Sequence, residues 1–164
     1  MIEAVVFDLD GTLVDLPVDY ERLFAEFKEI MHVHEVRPVV DTVSKVVDEK
    51  IRALVFAAWD RAELAVLDEV SVNGDGMRIY QANANKHRAL VTLQGKAVVD
   101  AIVKRFGLLF DVVMTREDSL FRVDQLSKAV EQLNLNILDV LFVGDAESDA
   151  VAAAKLGCQF LKIG

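Results

Sequence analysis

The chain is poor in cysteine, proline and basic residues, and each shortage narrows what it can be. One cysteine among 164 residues excludes an internal disulfide framework and is compatible with a reducing compartment. Cys158 itself reads as a small buried hydrophobe, since no His–Cys pair lies near it. The longest apolar runs, such as Leu64 to Leu67 or Val151 to Ala154, are far too short to span a bilayer. Met1-Ile2-Glu3 supplies no basic n-region, and the apolar run behind it carries Asp8 and Asp10. The expectation is a cytoplasmic chain with no membrane partner. Lys and Arg number 18 against 27 Asp and Glu, for a net charge of −9, which argues against a nucleic-acid partner. The same acidity disfavours a phosphate substrate unless carboxylates hold a divalent cation that dominates the local field.

What is present fits one well-buried core with a small appended subdomain: 53% apolar residues and 27% charged in a chain of this length. Ala4-Val5-Val6-Phe7 is a short, continuously apolar run, as expected of a strand buried on both faces. Similar runs recur at Ala89–Val91, Val112–Met114 and Val140–Val143, with a weaker one at Gln159–Ile163. Helical patterns lie between them. Val98, Ile102 and Val103 stop at Gly107; Leu126, Val130 and Leu133 stop before Asn134; Ala150 to Leu156 stops at Gly157. Strands alternating with helices predict an α/β fold, a Rossmann-like, mostly parallel sheet with helices on both faces.

Residues 15–72 break the alternation. Leu23, Phe24, Phe27, Ile30 and Met31 form one apolar stripe. Val43, Val46, Val47, Ile51, Leu54 and Ala58 form a second, which Leu64 and Leu67 continue. No glycine occurs between Thr12 and Gly74, so the segment reads as an inserted helical cap, closed by an Asn73-Gly74-Asp75-Gly76 turn. The division is a core of residues 1–14 and 73–164 and a cap of 15–72.

In such a sheet the ligand-facing groups stand at the carboxyl ends of the strands. The first strand ends in Asp8-Leu9-Asp10-Gly11-Thr12, the second in Thr92-Leu93-Gln94, and the fourth in Gly144-Asp145-Ala146-Glu147-Ser148-Asp149. Carboxylates converging on one edge repel unless a hard cation binds them, and few His or Cys nearby favours Mg²⁺ over zinc or copper.

The segment Asp8-Leu9-Asp10-Gly11-Thr12-Leu13, Thr92, and Gly144-Asp145 followed by Asp149 together resemble the haloacid dehalogenase-like (HAD) phosphatase superfamily, in its members with a small helical cap. The resemblance spans nearly the whole chain. It implies a phosphoglycolate phosphatase-like hydrolase of small phosphorylated metabolites, acting through an aspartyl-phosphate. Asp8 would be the nucleophile and Asp10 the acid, then the base. Gly11 lets the backbone turn so that both reach one phosphate, with Thr12 beside them. Mg²⁺ would be held by Asp8, the main-chain carbonyl of Asp10, and Asp145, with Asp149 behind them. Thr92 would hydrogen-bond the transferred group, helped by the amides of Leu93 and Gln94.

One element departs from the family pattern. Members normally carry a Lys after the third strand, commonly followed by Pro. The corresponding stretch, Thr115 to Asp124, has neither, and Arg122 is the candidate for the cation, just before a helix beginning near Asp124. Lys128 would be solvated. Arg52, Arg61 and Lys86 are candidates for contact with a distal anion, Trp59 and Phe56 pack the cap, and His32, His34 and His87 show no metal-ligand spacing. The missing Lys keeps open a weakly active binding or regulatory protein, and a phosphomutase is a further alternative. Asp10 argues against a dehalogenase, which has no leaving alkoxide to protonate.

Overall fold

The computed structural model describes residues 1–164. Its centre is a sheet of five parallel strands in the order β5-β4-β1-β6-β7, with β1 at Ala4–Phe7, β4 at His87–Val91, β5 at Val112–Met114, β6 at Val140–Gly144 and β7 at Gln159–Lys162. The α/β expectation holds, and β1 shows why its run is continuously apolar. Val5 and Phe7 pack on one face with Val98, Val99 and Ile102 of α5 (Lys96–Phe106). Ala4 and Val6 pack on the other, with Leu126, Ala129 and Val130 of α6 (Arg122–Gln132) and Ala153 of α7 (Glu147–Leu156). A central strand clothed on both faces has no position left for a polar side chain.

Between β1 and β4 the chain builds most of a third apolar cluster, to which Leu120 contributes from before α6. It joins Leu23 and Phe27 of α1 (Tyr20–Met31), Val43 of α2 (Val39–Ser44), and Val55, Ala58 and Trp59 of α3 (Glu49–Leu64). A two-residue antiparallel pair, β2 (Val14–Asp15) with β3 (Ser71–Val72), brings the ends of this segment together.

Three local expectations are corrected. The second apolar stripe is two helices: α2 stops at Ser44, and Asp48 starts α3 by accepting from the amides of Lys50 and Ile51. Val47 is therefore 94% exposed, and Leu54 and Leu64 face solvent too. Asn73-Gly74-Asp75-Gly76 is the start of a helix, α4 (Gly74–Ala82), with the Asn73 side chain accepting from Gly76 N–H. Gly76 serves close approach here, because the Thr12 carbonyl occupies the space a Cβ would need. Finally, α6 begins at Arg122 itself. No helix is long and apolar enough to cross a membrane.

Candidate active site

Asp8, the first residue beyond β1, donates its amide to Val143 O of β6 (3.0 Å), which extends the strand register to the carboxylate. The chain then turns. Gly11 has φ +82°, a left-handed conformation, and the Asp145 carboxylate fills the space where a Cβ would stand. The turn folds Asp10 back so that its Oδ1 accepts the Leu16 amide at 2.9 Å. Thr12 is buried and donates its hydroxyl to Asp145 Oδ1 (3.3 Å); it thus supports the acidic cluster and does not line the pocket above it.

Asp145 and Asp149 arrive from the loop after β6 and the first turn of α7. Carboxylate oxygens of Asp8, Asp145 and Asp149 lie within 4.8 Å of one another. Asp149 is fully buried, with Oδ2 accepting the Ala146 amide at 3.2 Å. Its Oδ1 forms an ion pair with Arg122 Nε at 2.8 Å. Three clustered carboxylates form an all-oxygen donor set that fits a hard divalent cation.

Arg122 enters from the first turn of α6. It donates from Nη2 to Asp8 Oδ1 (3.2 Å) and from Nη1 to Gln125 Oε1 (3.0 Å). The one cation at the acidic edge therefore touches Asp8, and Lys128 stays at the surface paired with Asp124 (3.1 Å). Burial pushes the Asp8 carboxyl well above its ordinary range, opposed by the Arg122 guanidinium and reinforced by Asp149. Burial also raises Asp10, against the pull of the Leu16 amide. Asp149 is raised by the same cause, again opposed by Arg122.

Across the cluster, Gln94 N–H donates to Thr92 Oγ1 (3.1 Å), and the Thr92 hydroxyl donates to Gln94 Oε1. Thr92 is fully buried, whereas Leu93 and Gln94 line the pocket. That pocket, about 290 Å³, is bounded below by Asp8, Asp10, Asp145 and Arg122 and above by Tyr20, Val39 and Trp59. Trp59 thus walls the site as well as packing on Phe27 (ring centroids 5.5 Å apart). Arg52, Arg61 and Lys86 do not reach the pocket. Arg61 pairs with Glu26 (2.7 Å), Arg52 lies over Phe56, and Lys86 bonds Asn83 just before β4, at the opposite end of that strand.

Two residues at this site escape sequence reasoning. Gln125 is fully buried, and its amide bonds the carbonyls of Thr92 (2.8 Å), Thr115 (3.2 Å) and Ser119 (2.8 Å) while its oxygen holds Arg122. A polar residue beside Leu126 on the apolar face of α6 was the available signal. Arg116 sits among the acidic residues after β5, yet its side chain is completely buried. It pairs with Asp60 (2.5 Å) and Glu63 (2.9 Å) of α3 and donates to Leu93 O (2.8 Å). Glu63 in turn accepts the Gly95 amide at 3.0 Å. Its carboxyl is raised by burial, partly offset by Arg116.

Comparison with known proteins agrees with this geometry. The sequence model of haloacid dehalogenase-like hydrolases matches residues 78–163. An uncharacterized hydrolase of Saccharomyces cerevisiae is 29% identical over 174 residues, covering 96% of this chain and 75% of its own. A haloacid dehalogenase-like hydrolase from Streptococcus pneumoniae superposes with a TM-score of 0.72 at 17% identity, covering 99% of this chain and 85% of that one. The phosphate complex of CbbY from Rhodobacter sphaeroides superposes with a TM-score of 0.70 at 20% identity, covering 98% and 85%. With a family match over more than half its length and an acidic edge built on the corresponding fold, the chain belongs to the haloacid dehalogenase-like hydrolases.

Proposed function

We propose that the protein is a Mg²⁺-dependent phosphomonoester hydrolase that works in the cytoplasm on a small phosphorylated metabolite through an aspartyl-phosphate at Asp8. The observation that carries this reading is the contact of Arg122 with both Asp8 and Asp149 at the edge of the carboxylate cluster. It supports Arg122 as the cation in place of the missing Lys.

In the first step an Asp8 carboxylate oxygen attacks phosphorus, and the bond from phosphorus to the ester oxygen breaks. Asp10, whose burial favours the protonated form, gives its proton to the departing oxygen. In the second step the Asp10 carboxylate takes a proton from water as that water attacks the phosphoryl group. Inorganic phosphate leaves and Asp8 is restored. Arg122 and the Leu93 amide offset charge on the transferred group, while the Gln94 amide is held by Thr92 Oγ1. Asp8, Asp145 and the Asp10 carbonyl would hold Mg²⁺, backed by Asp149, and the ion when bound screens the nucleophile from the phosphate's charge.

The test is release of p-nitrophenol from p-nitrophenyl phosphate with Mg²⁺, with chelator, and by an Asp8→Asn variant. Release that needs the metal and is lost in the variant is the expected result. Absence of turnover across a broad phosphate-ester panel overturns the reading.

A further inference from the structure

The wall facing the acidic edge decides which alcohol the phosphate can be attached to. From the helical insert only Tyr20, Val39 and Trp59 line the pocket, and none is cationic. On the core side the remaining lining groups are acidic or uncharged, apart from Arg122, which is committed to Asp8 and Asp149. A further cation, Arg116, lies behind the wall. Its guanidinium is 4.3 Å from the centre of the Trp59 ring, has no solvent exposure, and is matched by Asp60 and Glu63. It therefore fixes Trp59 without offering charge to a ligand. The uncharged polar side chains lining the pocket are Tyr20 and Gln94, with Ser148 on the opposite wall. Burial pushes the Tyr20 phenol up to about 12, so it is neutral at physiological pH.

Resting on the phosphatase reading above, we infer that Tyr20, Val39 and Trp59 form a leaving-group subsite for uncharged alcohols, such as those of sugar or polyol phosphates. A leaving group bearing a carboxylate or a second phosphate loses water there, gains no cation, and faces Asp10. An alcohol instead rests its carbon skeleton on the indole and its hydroxyls on Tyr20 and Gln94.

The pair 2-hydroxyethyl phosphate and 2-phosphoglycolate tests this, because the two differ only in a hydroxymethyl against a carboxylate. With saturating Mg²⁺, kcat/KM is expected to be higher for 2-hydroxyethyl phosphate by about tenfold or more. Equal or better use of 2-phosphoglycolate overturns the inference while leaving the phosphatase reading intact. No turnover of either ester or of p-nitrophenyl phosphate overturns both. Val39→Lys and, on the opposite wall, Ser148→Lys each place a cation in the subsite, with thermal unfolding as the check on folding. A narrowed preference in either folded variant supports the inference, and an unchanged one in both counts against it.

Discussion

Arg122 and Cys158 show how differently two side chains of modest sequence signal are used. Arg122 is held by Gln125 and aimed at Asp8, so its charge is fixed before any substrate arrives. Arg122→Ala should lower kcat by about 10²–10³-fold, as removal of a preorganised charge-stabilising donor does. Arg122→Lys should retain part of that, because a compact ammonium reaches one carboxylate but cannot fork between two. Steady-state kinetics of both variants read this directly, and full activity in Arg122→Ala would remove Arg122 from the mechanism. Cys158 is half-buried, donates its thiol to Val140 O (3.2 Å), and is pushed up by burial to about 11. A raised thiol pKa leaves less thiolate at a given pH. At pH 8 the folded protein should therefore react with iodoacetamide roughly a hundredfold more slowly than the urea-unfolded chain. The folded rate should keep rising with pH beyond the point where the unfolded one levels off.

Helix α3 is the element where tertiary contact outweighs local pattern. Ala58 and Trp59 on its buried face were legible, but Leu54 and Leu64 of the expected stripe face solvent, and the polar positions that matter, Asp60 and Glu63, look like ordinary solvated charges on a helix. Their partner Arg116 is more than fifty residues away, and no periodicity links them. The strand-end motifs were legible for the opposite reason: Asp8, Asp10 and Asp145 sit where a run of buried residues must stop, so position alone marks them. Likewise α4 was hidden because Gly74 and Gly76 signal a turn locally, while the Thr12 carbonyl demands the glycine. The buried ionic group yields a prediction of its own. Arg116→Met leaves Glu63 buried without its partner and should cost about 3–5 kcal/mol in urea unfolding. The double variant Arg116→Met, Glu63→Gln should recover part of that loss, and strict additivity of the two would show that the pair is not coupled.

For the whole molecule, a cation that binds the folded acidic edge and not the unfolded chain must stabilise the fold. At a hundredfold excess over its Kd the gain is about 2.7 kcal/mol, or about 5–10 °C in Tm for a domain of this size. Mg²⁺ should produce that rise, chelator should reverse it, and Asp145→Asn should abolish it; scanning calorimetry without a shift would argue against a cation site among Asp8, Asp145 and Asp149. The joint between the insert and the sheet core has a further consequence, for recombination. Two short strands, β2 and β3, form the neck of the insert, which makes it an obvious cassette to exchange for one with another specificity. The buried Arg116 sets a compatibility rule for such grafts. Any incoming segment must carry acidic residues matching Asp60 and Glu63 and an aromatic matching Trp59, or the recipient keeps a stranded guanidinium beneath its own active site.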